Sequence, residues 1–442
     1  MLLNLNFSRS ILVIGSLGSS SLAMAGYTFK YDDISGEISL SAGAATVSAN
    51  HVNFGEGRVD QRSGVNTGTQ ASWQEAFVKP GITLNYKLNQ DVDLLAGASV
   101  VGARTWGDGD AGGYTHNADG DVALEELYAG VRVGSWKFTA GRQNYIVGTG
   151  FIVMDGNLDV GKDGAYYLAP RSAFRNSAIL SWEKKTLKTQ AFTLQTDDHF
   201  GGYRMTGVNV DYGLGDKVTL GAMLFKVNAS HDRTPTRDGM EVYNFRALNA
   251  KIPSIPALTL NGEYALQRGH DGRGEEYDAE AWYVQADYAL DQLPLKPIIG
   301  YRYTTFSGDK NPTDNKRQDW DSLSKGYIGW GTWLIGDVVG NYLLYNSNER
   351  VQQFSVKTHL NEKVTLGGMY YQFWLDQANY FGRAVNERRF ADEYAIYLDW
   401  TPTANFYTSL SYNWVKPKGA AKQLFGDRGD FNTIELYFTY RY

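Results

Sequence analysis

Apolar and polar residues alternate strictly at the C-terminal end of the chain. Every even position from Ile434 to Tyr442 is apolar or aromatic, and the odd positions between them are polar except Tyr437. Because successive side chains of a strand point to opposite faces, this period of two predicts a β-strand with one apolar and one mainly polar face. A strand of a soluble sandwich has the same pattern, so the environment must be inferred from the rest of the chain.

Similar segments recur from end to end and leave no room for a separate soluble domain. Nineteen segments are strand candidates: 33–47, 72–88, 91–105, 122–134, 135–145, 174–182, 186–195, 204–213, 217–228, 241–251, 257–268, 280–290, 296–306, 338–347, 351–360, 363–375, 391–401, 404–415 and 431–442. Bacterial barrels usually have an even number of strands, with short periplasmic turns and long extracellular loops. Short and long connections alternate along this chain only if 338–347 is not a wall strand.

These patterns predict an all-β fold, a transmembrane antiparallel β-barrel. We expect 18 strands, eight short periplasmic turns and nine long extracellular loops. A barrel of this size is wide enough for an aqueous channel.

The N-terminal residues have the features of a secretory signal. Arg9 precedes a short apolar run at 11–17, which is followed by small residues and by Ala-Met-Ala at 23–25. A basic segment, an apolar segment too short to span a bilayer and an A-x-A site are the parts of a signal peptide. We expect residues 1–25 to be the signal peptide and residues 26–442 to form the outer-membrane barrel. A buried N-terminal helix is the alternative.

The composition agrees with a barrel that has one wet face. Aromatic residues make up 14% of the chain, yet the mean hydropathy is −0.37, as expected when half of the strand residues face water. The absence of cysteine excludes disulfides and thiolate chemistry. Residues 1–25 contain Arg9 and no acidic residue, so the remaining 41 basic and 48 acidic side chains give a formal charge of −7. This balance argues against a nucleic-acid partner.

Three stretches resemble the alginate-export family of outer-membrane barrels. They are 125–130 (EELYAG) with 138–143 (FTAGRQ), 148–157 (GTGFIVMDGN), and 301–309 (YRYTTFSGD) leading into 314–323. The resemblance implies an 18-stranded monomeric barrel that passes an anionic polysaccharide or another solute.

Strict alternation assigns many charged residues to the barrel interior. They are Glu126, Arg132, Lys137, Arg175, Arg246, Glu263, Asp287, Arg302, Lys357, Glu393, Asp399, Glu435 and Arg441. Rings of Arg or Lys in a pore select anions, and the Arg fork binds carboxylates bidentately. As pore-lining candidates we select Glu126, Arg132, Lys137, Arg142, Gln143, Arg175, Arg246, Asp287, Arg302 and Lys357. The alternative for each single residue is an ion pair that only stiffens the wall.

Arg142 is an exception among these candidates. Alternation places it on the outward face beside Phe138 and Ala140, where a charge near the bilayer midplane costs about 2–4 kcal/mol. Either it lies near a membrane interface, or a bulge at Gly141 turns it inward. We favour the bulge.

Two long loops are candidates for narrowing the pore. Loop 146–173 carries Tyr166 and Tyr167, and loop 307–350 carries Trp320, Trp330 and Trp333. Aromatic faces stack on sugar rings, although the same residues also suit loop packing and the interface girdle. In the Gly- and Asp-rich loop 106–121 we favour a solvated acidic loop over a calcium site, because the spacing does not match an EF-hand.

Little in the sequence indicates catalysis. Five of the six histidines fall in or next to predicted extracellular loops, and His359 lies near a periplasmic turn. None is placed for a triad, and neither G-x-S-x-G nor H-E-x-x-H occurs. We therefore expect no enzymatic activity, no cofactor and no metal. An adhesin or structural barrel with a plugged lumen is a further alternative.

Together these features predict a passive channel of the bacterial outer membrane for a hydrophilic, anionic solute. An alginate-like acidic polysaccharide and small organic anions both fit, and a porin of weak or carbohydrate selectivity is the alternative. The expected partners are outer-membrane lipid, the barrel-assembly machinery, which would bind the C-terminal strand, and the solute. We expect a monomer.

Overall fold

The computed structural model describes residues 26–230, 233–311, 313–325 and 336–442. The predicted signal peptide lies outside them. Within these ranges no helix is long and apolar enough to cross a membrane.

Segments in which apolar and polar residues alternate form β-strands throughout the described chain. The strands are β1 (Tyr27–Tyr31), β2 (Ile34–Asn50), β3 (Gln70–Lys87), β4 (Val92–Gly107), β5 (Gly120–Val133), β6 (Trp136–Gln143), β7 (Phe174–Lys184), β8 (Leu187–Gln195), β9 (Arg204–Gly213), β10 (Thr219–Asn228), β11 (Met240–Ile252), β12 (Ile255–Gly269), β13 (Glu276–Tyr277), β14 (Ala279–Ala289), β15 (Ile298–Phe306), β16 (Lys316–Arg317), β17 (Glu349–Asn361), β18 (Val364–Leu375), β19 (Asn379–Tyr380), β20 (Arg383–Ala384), β21 (Arg389–Thr403), β22 (Phe406–Pro417) and β23 (Phe431–Arg441). Short helices lie between them: 3-10 turns at Val52–Gly55, Gly161–Asp163 and Pro235–Arg237, a π-helical turn at Val339–Leu344, and α1 (Gly419–Phe425).

Eighteen of the strands form a closed antiparallel barrel. The wall consists of β2 to β12, β14, β15, β17, β18 and β21 to β23. Closure comes from the pairing of β2 with β23, which runs from Ser41 opposite Arg441 to Asn50 opposite Asn432. The predicted strand number is confirmed. The segment 338–347 is not a wall strand, since it contains the π-helical turn.

The N-terminal strand β1 was not predicted. It pairs with the first residues of β2, from Tyr27 opposite Ile38 to Tyr31 opposite Ile34. Because β23 reaches β2 only from Leu40 onward, the periplasmic end of β2 would otherwise present unpaired backbone groups. The chain covers this edge by folding back on itself, which is how sheets avoid exposed edges.

The two faces of the wall differ as alternation requires. Leu410 and Ile434 on the outer face are 48% and 54% exposed, whereas Val47 and Phe225 on the inner face are 2% and 1% exposed. The inner face is buried because loops enter the lumen from the extracellular side. Phe151 of one loop packs on Tyr283 and Phe306 of the wall, with ring centroids 5.3 and 5.7 Å apart.

Deletion of the last three residues, 440–442, tests the closure of the barrel. Tyr442 exchanges two backbone hydrogen bonds with Leu40, at 2.6 and 2.8 Å, and an unpaired backbone group in lipid costs several kcal/mol. We expect the truncated chain to give less folded, heat-modifiable barrel in the outer membrane. The substitution Tyr440→Phe keeps the backbone pairing and serves as the control, and normal folding of the truncation would contradict the prediction.

Candidate functional site

The candidate site lies in the lumen beneath two loops, which carboxylates of the wall hold in place. Loop 144–173 passes across the inside of the barrel. Glu75 accepts a hydrogen bond from the backbone N–H of Leu168 at 3.0 Å, and Glu125 accepts from those of Ser172 and Ala173 at 2.8 and 3.0 Å. Backbone donors in a dry interior need such acceptors, so these inward acids fix the path of the loop.

A third wall carboxylate holds the other inward loop, 307–348. Glu393 on β21 accepts from three consecutive backbone N–H groups, those of Asp337, Val338 and Val339, at 2.6, 3.2 and 2.9 Å. The preceding Gly336 has a φ of +81°, and a Cβ there would lie 2.7 Å from the Glu393 carboxylate. Only glycine fits this approach, and charge-assisted hydrogen bonds of this kind are strong.

Glu435 on the closing strand is linked to both loops, directly to Tyr167 and through Asn413 of β22 to Asp337. Its carboxylate accepts from the Tyr167 hydroxyl at 2.9 Å and from the Asn413 side-chain amide at 3.2 Å. The same amide donates to Asp337 at 2.7 Å. Burial, together with the nearby Glu435 and Glu393, raises the pKa of Asp337 well above its ordinary value.

Arg246 lies against loop 144–173 at Gly148. Its side chain is fully covered and donates to Asp211 at 2.6 Å and to Asn244 at 3.0 Å. The neighbouring wall residue Glu263 accepts from the Thr149 hydroxyl at 2.6 Å. Arg246 therefore faces inward as alternation predicts, but in this structure the loop separates it from open solvent.

Beneath loop 144–173 lies a cavity of about 410 Å³. Lys79 and Arg441 line it, and both are ladder neighbours of Ser41, one on each side. Lys79 Nζ donates to the Pro170 carbonyl at 2.9 Å. Glu126 lies on the same cavity wall and accepts from Ser99 and Asn144, both at 3.0 Å.

A second cavity of about 550 Å³ adjoins the first, and the two share Thr83 and Tyr128. Arg132 and Lys137 lie directly opposite each other on β5 and β6, and both line this cavity. Lys30 of β1 is the third cation in its lining. The Arg132 side chain is 44% exposed and lies 3.5 Å from Asp93. The two cavities therefore bring five cationic side chains together along one side of the lumen: Lys30, Lys79, Arg132, Lys137 and Arg441.

The other inward candidates lie on different strands, and none lines these cavities. Arg302 donates to Gln285 at 2.9 Å, and Asp287 accepts from Gln285 at 2.6 Å. Lys357 is on β17 near Asp287. Gln143 is buried and donates to Ser177 at 2.8 Å.

Arg142 and Arg175 are at the extracellular rim. The expected irregularity next to Gly141 is present, as a register shift between β6 and β7. Arg142 nevertheless pairs with Leu127, which is 55% exposed on the outer face, and it ion-pairs with Asp197 at 2.8 Å. Arg175 ion-pairs with Asp198. Both charges are thus neutralised by carboxylates of the same extracellular loop.

Sequence reasoning did not select Lys30, Lys79 or Arg441. Lys79 continues the inward alternation of Glu75 and Phe77, so it could have been found from the pattern. Arg441 was assigned to the interior but was not chosen, and Lys30 lies on the strand that was not predicted.

Metal binding finds no support in the described ranges. They contain no group of three or more histidine, aspartate or glutamate side chains arranged for an ion. In loop 106–121 the buried Asp110 accepts from the backbone and hydroxyl of Thr115 at 2.7 and 2.8 Å.

The sequence profile of the family described as alginate export matches residues 121–392. The chain belongs to the alginate export family. The matched range contains both inward loops and the strands that carry Arg132, Lys137 and Glu125. No protein with curated annotation matches the sequence.

Solved structures of outer-membrane proteins resemble the barrel. OccAB2 of Acinetobacter baumannii is 12% identical with a TM-score of 0.59, covering 92% of this chain and 98% of that one. OpdK of Pseudomonas aeruginosa with vanillate is 14% identical with a TM-score of 0.57, and the match covers 92% of this chain and 98% of that one. OccK11 of the same organism is 13% identical with a TM-score of 0.54, and the match covers 92% of this chain and 95% of that one. At these identities the likeness shows the fold. The family and the barrel together place the protein in the bacterial outer membrane.

The substitution Glu393→Gln tests the attachment of loop 307–348. An amide has one acceptor oxygen instead of two, so at least one of the three N–H groups loses its partner, at a cost of about 1–3 kcal/mol. We expect larger or more frequent conductance steps in single-channel recordings. Glu362→Gln, the same change in a periplasmic turn, should leave the recordings unchanged, and an unaltered Glu393→Gln channel would count against the attachment.

The buried Asp337 predicts a pH dependence of the same attachment. Because its pKa is raised in the folded protein, the folded state holds a proton that the unfolded state releases, and stability falls as pH rises above the ordinary value of about 3.9. Ionisation beside Glu393 and Glu435 should loosen the loop, so channel openings should become more frequent as the pH is raised. Asp337→Asn should remove this dependence, and an equal response in both proteins would contradict the assignment.

Proposed function

We propose that this passive outer-membrane channel conducts solutes that carry carboxylates, guided by the cations of the two adjoining cavities. The protein is a channel for anionic solutes, and the finer proposal concerns which groups contact them. Lys79 and Arg441 would bind a carboxylate in the cavity beneath the loop, and Arg132 and Lys137 would bind it nearer the periplasm.

Acidic and basic side chains of the inner wall differ in their partners, and this difference is the main support for the proposal. Glu75, Glu125 and Glu393 accept hydrogen bonds from loop backbones, so their charges are engaged away from the cavities. Arg132 in contrast is 44% exposed, and Lys137 is also exposed. The lower cavity is lined by three cations, Lys30, Arg132 and Lys137, and by one carboxylate, Glu37. A solute there therefore meets more positive than negative charge, although the chain as a whole is acidic.

The size and lining of the upper cavity favour a small acidic saccharide or organic anion. Its volume of about 410 Å³ is within the range of about 300–1,000 Å³ that is usual for small-molecule sites. Phe77, Tyr128 and Tyr437 line it beside the two cations and offer faces on which a ring can stack. The family name refers to alginate, and one similar structure contains vanillate. Both are carboxylates.

We further propose that the protein is a non-enzymatic monomer and that the barrel-assembly machinery recognises β23. The resemblance to channel proteins supports the absence of catalysis. The exposed apolar face of β23, with Ile434 at 54% and Tyr440 at 39% exposure, supports its role in membrane assembly. A porin of weak selectivity is the alternative function.

Replacing Arg132 and Lys137 together by Gln tests the proposal. A unit charge at 4 Å in water is worth about 1 kcal/mol, which corresponds to roughly five-fold in local anion concentration. Reversal potentials across a planar bilayer under a KCl gradient should therefore shift toward cations. We omit Arg246 because its side chain is covered by the loop.

The matched control is the pair Arg104→Gln and Lys226→Gln, which removes two cations from the outer face. Selectivity should not change in it, because lumen and outer face are separated by the wall. A wild-type channel that is already cation-selective, or an unchanged Arg132/Lys137 variant, would show that other residues set the selectivity.

A further inference from the structure

An oblique row of aromatic rings crosses the outer face of the barrel. Its members are direct ladder partners on five strands: Tyr301, Phe354, Tyr370, Tyr394 and Trp414. Successive ring centroids are 5.0, 6.1, 4.8 and 5.4 Å apart. Tyr301 is near the periplasmic end of β15, and Trp414 is near the extracellular end of β22. An interface girdle keeps to one membrane level, whereas this row changes level as it crosses the strands.

A groove of about 540 Å³ follows the row on its periplasmic side. In the ladder Gly368 lies between Val356 and Ile396, and all three line the groove. A Cβ on Gly368 would meet no atom closer than the Ala395 carbonyl oxygen at 3.7 Å. The missing side chain thus leaves open space on the lipid-facing surface, with aromatic rings along one side.

Cationic side chains lie at the extracellular end of the same strands. Arg350 and Arg389 are the ladder partners of Trp374, one on each side, and the Arg389 guanidinium lies 4.0 Å from the Trp374 ring centroid. Lys416 Nζ is 4.0 Å from the ring of Trp414. Such contacts hold the cations over the aromatic surface.

The carboxylates of this region lie beneath the cations. Asp376 pairs with Arg350 at 2.6 Å, and Asp392 pairs with Arg389. Both carboxylate side chains are 8% exposed, against 45% for Arg350 and 21% for Arg389. A third acid, Asp430, accepts from the Trp414 indole N–H at 2.6 Å. In both ion pairs the cation is therefore more accessible to a ligand than its carboxylate.

We propose that this surface binds one phosphorylated, acylated lipid of the outer leaflet. A phosphate would lie on Arg350, Arg389 and Lys416, because guanidinium groups match phosphate oxygens in geometry and charge. An acyl chain would lie in the groove over Gly368. Cations at the membrane surface above an apolar groove are the arrangement that suits a lipid with an anionic head group. A phosphorylated lipid matches both parts of the surface, the cations and the apolar groove.

Native mass spectrometry of the purified full-length barrel tests this proposal, with bisphosphorylated hexaacyl lipid A as the probe. We expect one retained lipid on the wild type and at least five-fold less on Gly368→Leu, whose side chain fills the groove. The double variant Arg350→Gln/Lys416→Gln should lose lipid A to a similar degree. Dephosphorylated lipid A should be retained weakly by all forms. Heat-modifiable migration verifies that each variant is folded.

Gly102→Leu is the matched control, since Gly102 is also an outward wall glycine, with Val122 as the nearest neighbour of an added Cβ at 3.6 Å. It should retain lipid A as the wild type does. Equal loss in Gly102→Leu, full retention in Gly368→Leu, or equal binding of the dephosphorylated lipid would overturn the proposal. A dimer that Gly368→Leu dissociates would also overturn it, because the groove would then be a protein interface.

Discussion

The structure depends on the requirement that every backbone group in the membrane has a hydrogen-bond partner within the protein. Lipid supplies none, and each unsatisfied group costs several kcal/mol. The pairing of β2 with β23 meets this requirement by leaving the wall without an open edge. The same requirement explains β1, which covers the part of β2 that β23 does not reach. The alternation of apolar and polar residues along each strand follows, because one face of the wall then meets lipid and the other faces the lumen.

A closed wall of 18 strands encloses more space than its own side chains fill. Loops enter this space, and their backbone N–H groups need acceptors there. Wall carboxylates such as Glu125 and Glu393 supply them. Carboxylates that are bonded to loops count in the net charge of the chain, although they do not face the cavities. The net charge is consequently a poor guide to the charge that a solute meets in the lumen.

Much of the wall could be predicted from sequence, because alternation and loop length are local properties. The strand number and the exclusion of 338–347 follow from these two patterns together with the even strand number that is usual in bacterial barrels. The site could not be predicted to the same extent, because it depends on contacts between distant parts of the chain. Tyr167 and Glu435, which are 268 residues apart, illustrate this. Arg142 lies on the outer face as alternation indicates, and its partner Asp197 comes from a loop whose path no local pattern specifies.

The hydrogen bond between Tyr167 and Glu435 also has a consequence for the closure of the barrel. Glu435 belongs to the closing strand β23, and contacts across so long a separation are costly to form because they close a long stretch of intervening chain. The contact between Tyr167 of loop 144–173 and Glu435 exists only where β23 has joined the barrel, whereas Glu75 and Glu125 hold the same loop from β3 and β5. The narrow part of the channel therefore has its full set of contacts only in the closed cylinder, so the position of the loop and the closure of the wall are coupled.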